Sequence, residues 1–128
     1  MAALYSDIIL DHFRHPRNYG SLPVPDITYE DFNPLCGDRI NIELKLKHTV
    51  VEEARFRGDG CAVSMAAASL LTELIVGVDI KEVEAISDDR LILALESDIK
   101  PSRVQCALLS LQALRAGLRN HKVHELSE

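Results

Sequence analysis

The chain has 128 residues, of which 47% are hydrophobic and 27% charged, with 6 Gly and 5 Pro, a composition that excludes disordered and collagen-like classes. That length suits a single domain over residues 1–128 with its own core, because single cores commonly run to about 100 to 200 residues. With 14 Lys+Arg against 20 Asp+Glu the net charge is -6, so the electrostatic footprint of a nucleic-acid binder is missing and metals or proteins are the expected partners.

The N-terminal stretch carries acidic residues within its apolar part and no cleavage-site pattern, so it does not read as a secretory signal. Leu4 to His12 has the period of a short amphipathic helix, with Leu4, Ile8 and Ile9 near one face and Asp7 and Asp11 near the other. The run His15-Pro16-Arg17-Asn18-Tyr19-Gly20 ends it, and Pro23 and Pro25 mark a connector. Alternation with a period near two then predicts strands over 27–32, 39–47 and 50–57, clearest in Ile40, Ile42, Leu44 and Leu46. The short Lys47-His48-Thr49 link makes the last two an antiparallel hairpin, and Glu43, Lys45 and Lys47 are expected to face water.

After Gly58-Asp59-Gly60 the pattern turns helical from Cys61 to Val76, where alanines permit close packing. This longest weakly charged stretch is interrupted by Ser64, Ser69, Thr72 and Glu73, so a buried helix is expected and no membrane span. Short helices follow over 79–86 and 89–95, and Pro101 opens a last helix reaching about Arg119. Helix, strands, then helices predicts an α+β fold: a three-stranded, mainly antiparallel sheet with helices packed on one face. An intracellular, cytoplasmic protein is expected, and its 3 cysteines, an odd number, then point to metal or thiol chemistry rather than a disulfide framework.

Cys36 and Asp38 are two apart on the loop between the first strands, where Gly37 permits a sharp turn. A thiolate and a carboxylate so placed can face one cation, although a buried cysteine in an ordinary turn fits the same residues. Cys61 opens the long helix, where unpaired amides and the dipole favour a thiolate; a small apolar filler under the first turn is the alternative. Cys106 lies off the stripe formed by Val104, Leu108, Leu111, Leu114 and Leu118, on a narrower face with Leu109 and Ala113. One turn before it, Arg103 either stabilises a thiolate, pairs with Asp38, or is a solvated helix residue. None of the histidines stands at ligand spacing with a cysteine, and most are expected at the surface. Convergence of the three thiols is a hypothesis that their wide spacing neither proves nor excludes.

Four motifs in order give this hypothesis a family. Asp11-His12-Phe13 with Pro16-Arg17-Asn18-Tyr19-Gly20, Asn33-Pro34-Leu35-Cys36-Gly37-Asp38, Gly58-Asp59-Gly60-Cys61-Ala62-Val63-Ser64, and Arg103-Val104-Gln105-Cys106-Ala107-Leu108-Leu109 closely resemble the signatures of the U-type iron-sulfur assembly proteins. That is the IscU/SufU family, together with the N-terminal part of the NifU type, and the resemblance spans nearly the whole chain. It implies that Cys36, Asp38, Cys61 and Cys106 hold zinc, iron or a transient [2Fe-2S] cluster. It also implies a cysteine desulfurase that delivers persulfide sulfur, with Cys36 and Cys106 as candidate sulfur acceptors, and apo iron-sulfur proteins that receive the product. The accepting thiol must be reachable by a partner protein. Gln105 stands where the IscU branch has a histidine, and Ile99-Lys100-Pro101-Ser102-Arg103 replaces that branch's Leu-Pro-Pro-Val-Lys, so a dedicated Hsp70 chaperone partner is not expected. Arg103 resembles the SufU branch, whose usual extra segment between the second and third cysteines is missing. The leading expectation is a non-enzymatic scaffold. A zinc-dependent sulfurtransferase is the alternative, and a structural zinc clip in an interaction domain the third reading.

Overall fold

The computed structural model describes residues 5–35 and 37–126, with side chains through residue 122. Helix α1, Asp7–Arg14, starts where the Ser6 hydroxyl accepts the Ile9 amide at 3.2 Å, with Asp7 in the first turn against the positive end of the helix dipole. Its start is later than the expected Leu4, which lies outside the described residues. The run after α1 is more than a helix stop. Asn18 takes φ 59°, and the chain turns to lie beside the last strand, where the Phe56 amide donates to the Asn18 carbonyl at 3.0 Å and the Gly20 amide to the Phe56 carbonyl at 2.9 Å.

The three strands are β1 Ile27–Phe32, β2 Arg39–Lys47 and β3 Val50–Asp59, paired antiparallel in that order. The first two match the predicted bounds, and β3 runs on to Asp59 because it pairs through to Arg39. His48 at φ 59° makes the tight β2–β3 turn. Ile40, Ile42 and Leu44 all point into the core, as a period of two requires. The outer face is less wet than expected, for Glu43 is buried. The connector crosses over it, and the Leu22 amide donates to the Glu43 carboxylate at 2.7 Å while Arg57 stands 3.5 Å from it. Lys45 is half-buried and Lys47 exposed, so alternation predicted direction correctly but could not foresee a loop folded across the face.

Four further helices follow: α2 Ala62–Ile75, α3 Ile80–Glu84, α4 Asp88–Ala94 and α5 Pro101–Leu126. The side chains of Asp79 and Ser87 cap α3 and α4, accepting the Lys81 amide at 2.9 Å and the Arg90 amide at 3.1 Å. Helix α2 packs on β3 and α5 on β1 and β2, so the helical layer covers one sheet face. Where α5 crosses β1, Gly117 permits the close approach, since a Cβ there would lie 3.0 Å from Ile27 Cγ2 and 3.3 Å from Tyr29 Cβ. Among the described residues, no helix is long and apolar enough to cross a membrane. Helix α5 continues past the expected Arg119 to Leu126.

His12, expected at the surface, is buried between α1 and α2. Its Nδ1 lies 2.7 Å from the Ser69 hydroxyl, which also accepts the Arg17 amide at 2.8 Å, and its Nε2 is 3.5 Å from the Glu73 carboxylate. With the hydroxyl proton turned to Nδ1, the ring of a neutral imidazole carries its proton on Nε2, facing the Glu73 carboxylate. Asn18 adds a bond from its side-chain amide to the Thr72 hydroxyl at 3.1 Å, so the His12-to-Asn18 signature ties α1 to the polar side chains that interrupt α2.

Candidate metal centre

The β1–β2 loop closes on itself before it delivers its carboxylate. Asn33 donates its amide to the Asp38 carbonyl at 2.8 Å, and the Gly37 amide returns to the Asn33 carbonyl at 2.7 Å, which requires the φ of +79° that Gly37 supplies. The Asn33 side chain accepts the Leu35 amide at 3.0 Å, an Asx turn inside the loop. Asp38 is thereby fixed at the entry to β2. Cys36, expected to be its companion ligand, lies outside the described residues.

Cys61 is the N-cap residue of α2, in extended conformation at φ -72° and ψ 169°. Its side chain makes no capping bond, which leaves Sγ available for another role at the positive end of the dipole. The Ser64 hydroxyl turns back to donate to the Cys61 carbonyl at 3.0 Å and stands 3.7 Å from Sγ. From α5 comes Cys106. The ligand atoms of Asp38, Cys61 and Cys106 all lie within 4.8 Å of one another, although they derive from a loop, a helix start and a different helix. Thiolate and carboxylate donors at that separation fit zinc or iron.

Asp38 carries the most specific mark. It is only 6% exposed, and its Oδ2 is buried with no hydrogen-bond partner among the described residues, a costly state for a carboxylate unless a cation completes it. Burial is the strongest single influence on this group and opposes ionisation. The Ser64 hydroxyl, the Cys61 thiol and amide, and the Cys106 thiol together outweigh it and hold the carboxyl below its usual range. These groups surround the carboxylate without any meeting the geometry of a hydrogen bond to Oδ2. The ionised form is therefore favoured, with no partner for Oδ2 among the described residues.

Exposure is divided among the members. Cys61 is half-buried, whereas Cys106 is 3% exposed. Lying off the leucine stripe does not set Cys106 apart, because α5 is buried almost all round from Cys106 to Leu114, only Gln112 reaching solvent. Its neighbours, not its helical phase, distinguish it. Arg103 is exposed and interacts first with the Cys106 thiol and then with Cys61, which raises its pKa above the ordinary value. Of the roles open to it, the thiol partner is the one observed.

Two site residues had drawn little notice in the sequence. Ser64 is 1% exposed and stands between Cys61 and Asp38. Gly60 is the other, closely approached by the protein's own side chains. A Cβ on it would overlap the Ser64 hydroxyl and come within 3.1 Å of Asp38 Cγ. The available signal was position, since Ser64 lies three residues past an N-cap.

The chain matches the family described as NifU-like N terminal domain over residues 4–127. It is 40% identical over 132 residues to the zinc-dependent sulfurtransferase SufU of Bacillus subtilis, covering 90% of this chain and 89% of that protein. It is also 32% identical over 125 residues to the iron-sulfur cluster assembly scaffold protein IscU of Haemophilus influenzae, covering 94% of this chain and 98% of that one. A solved structure from Fervidobacterium islandicum, described as an iron-sulfur cluster assembly scaffold protein for the SUF system, superposes with a TM-score of 0.77 at 24% identity, over 90% of this chain and 96% of that one. At that identity it shows the shared fold.

Proposed function

The chain belongs to the NifU-like N-terminal domain family, with relatives of both the SufU and IscU types, and from that premise we propose that it is an iron-sulfur cluster assembly scaffold. On this reading a cysteine thiol of the set receives sulfane sulfur from a cysteine desulfurase, an external thiol or electron-transfer protein reduces it to sulfide, and Cys36, Asp38, Cys61 and Cys106 would hold iron and sulfide as a transferable [2Fe-2S] cluster for apo-proteins. The observation that carries it is the convergence of Asp38, Cys61 and Cys106, with Oδ2 of Asp38 buried and without a partner among the described residues. Sulfur arrives by thiol chemistry: a cysteine thiolate here attacks the terminal sulfur of the desulfurase persulfide, a new S–S bond forms, and the electron pair of the broken one leaves on the desulfurase sulfur. No net oxidation occurs. Half-buried Cys61 is more accessible to a partner than Cys106, while Arg103 stabilises thiolate character at Cys106. Asp38 is the harder donor among soft ones and the most readily exchanged, which suits release of a finished cluster.

A second reading has its own support. The 40% identity to a zinc-dependent sulfurtransferase, with Gln105 exposed where a histidine would offer a nitrogen ligand, favours a zinc-bound sulfur relay. In that case the same donors hold zinc, which supplies positive charge that keeps its thiolates deprotonated until one is released to accept sulfur. Anaerobic reconstitution with iron, cysteine, desulfurase and a dithiol reductant, followed by incubation with an apo-ferredoxin, separates the two. The scaffold yields a transferable [2Fe-2S] absorption spectrum; tightly retained zinc, persulfide on the protein and no transferable cluster establish the relay instead.

A further inference from the structure

Beside the thiols lies a cleft of about 230 Å³ lined by Tyr5, Val63, Asp98, Ile99, Lys100 and Arg103. Two of its lining residues neighbour the metal centre: Arg103 interacts with Cys106, and Val63 is the second residue after Cys61 in the first turn of α2. The volume falls below the ~300 to 1,000 Å³ of sites for drug-sized ligands, so the occupant is smaller. Lys100 and Arg103 supply two positive charges at the N-terminus of α5, whose first turn contains no acidic residue to oppose the dipole. Asp98 cancels one of them, which favours a single negative charge over two. Val63 and Ile99 offer apolar wall for a short carbon chain.

We propose that this cleft binds a small monocarboxylate thiol that takes sulfane sulfur from the adjacent cysteines. The binding step stands alone, and the chemical step rests on the reading that those cysteines carry persulfide. Lys100 holds the carboxylate, and the ligand thiolate attacks the terminal sulfur of the protein persulfide. A ligand S–S bond forms, the protein S–S bond breaks, and its electron pair remains on the cysteine as a thiolate that Arg103 stabilises at Cys106. The ligand departs as a persulfide, and no oxidant or reductant is consumed.

Two measurements test this. Titration of ¹⁵N-labelled protein with mercaptopropionate, mercaptoethanol and cysteamine should give saturable amide shifts at Val63, Ile99 and Lys100 with mercaptopropionate alone. Lys100→Glu and the milder Lys100→Gln, at an exposed position outside the thiol cluster, should abolish them; absent or charge-independent shifts overturn the subsite. In the second, protein loaded with labelled sulfur by a desulfurase is freed of that enzyme and chased with the same thiols at equal thiolate concentration. Release should saturate and run at least about tenfold faster with mercaptopropionate than with mercaptoethanol, with mercaptosuccinate slower and Lys100→Glu removing the preference. Equal, linear rates for all thiols overturn the transfer step. If no label loads, the function proposed above fails, while the titration still decides whether the subsite exists.

Discussion

Replacing Gly60 with alanine places a methyl group where the Asp38 carboxylate and the Ser64 hydroxyl meet. The new Cβ would overlap Ser64 Oγ and stand 3.1 Å from Asp38 Cγ and 3.4 Å from Asp38 Cβ, so at least one neighbour must move. Ser64 can turn away only by losing its 3.0 Å bond to the Cys61 carbonyl, worth about 1 kcal/mol, and it has little room at 1% exposure. Overpacking of such a site costs about 1 to 3 kcal/mol, and that range is the expected loss in urea unfolding of the metal-free protein. Displacement of Asp38 should also weaken zinc in chelator competition by about ten- to a hundredfold, or about 1.4 to 2.8 kcal/mol. In a Ser64→Ala background the same substitution should cost less, because the worst overlap is gone. Wild-type zinc affinity with a stability change under about 0.5 kcal/mol would refute the idea that Gly60 sets the position of Asp38.

Asp38→Ala removes a buried charge whose favourable polar neighbours are offset by burial and by an oxygen without a partner among the described residues, so metal-free stability should change by less than about 1 kcal/mol, while zinc affinity falls at least about tenfold; an unchanged affinity would remove Asp38 from the ligand set. His12 has its pKa lowered from 6.5, chiefly by burial and next by Arg17, with Glu73 and Asp11 opposing. The unfolded chain therefore takes up its proton first, and stability falls as pH drops below about 6.5 through the folded value. His12→Gln should flatten this acid limb in urea unfolding at pH 7.5 and 5.5, and an unaltered slope would assign it to other groups. Gly117→Ala gains about 1 kcal/mol of helix propensity but meets Ile27 at 3.0 Å, so overpacking of about 1 to 3 kcal/mol should win. A stabilised variant in thermal unfolding would show that α5 and β1 separate easily.

The sheet was legible because its signal is local. Ile40, Ile42 and Leu44 alternate with polar neighbours, and this period defined β2 before any tertiary contact was considered. Asp79 and Ser87 are likewise cap residues whose side chains act on amides two or three positions away. The burial of Glu43 was not legible, since it depends on Leu22, 21 positions earlier, folding across the outer face. Nor was that of His12, whose partner Ser69 lies 57 positions on.

The sequence by itself determined the secondary elements, the donor types and the order of the four motifs, because capping, periodicity and residue chemistry act within a few positions. Only the tertiary structure brought Asp38, Cys61 and Cys106 within 4.8 Å, since each sits on a different element and their meeting depends on how α2 and α5 pack on the sheet. The same packing buried Cys106 on a helix enclosed nearly all round and turned Arg103 toward its thiol. It also left one oxygen of Asp38 without a partner among the described residues, a consequence of desolvation that depends on three-dimensional surroundings and has no signature in one dimension.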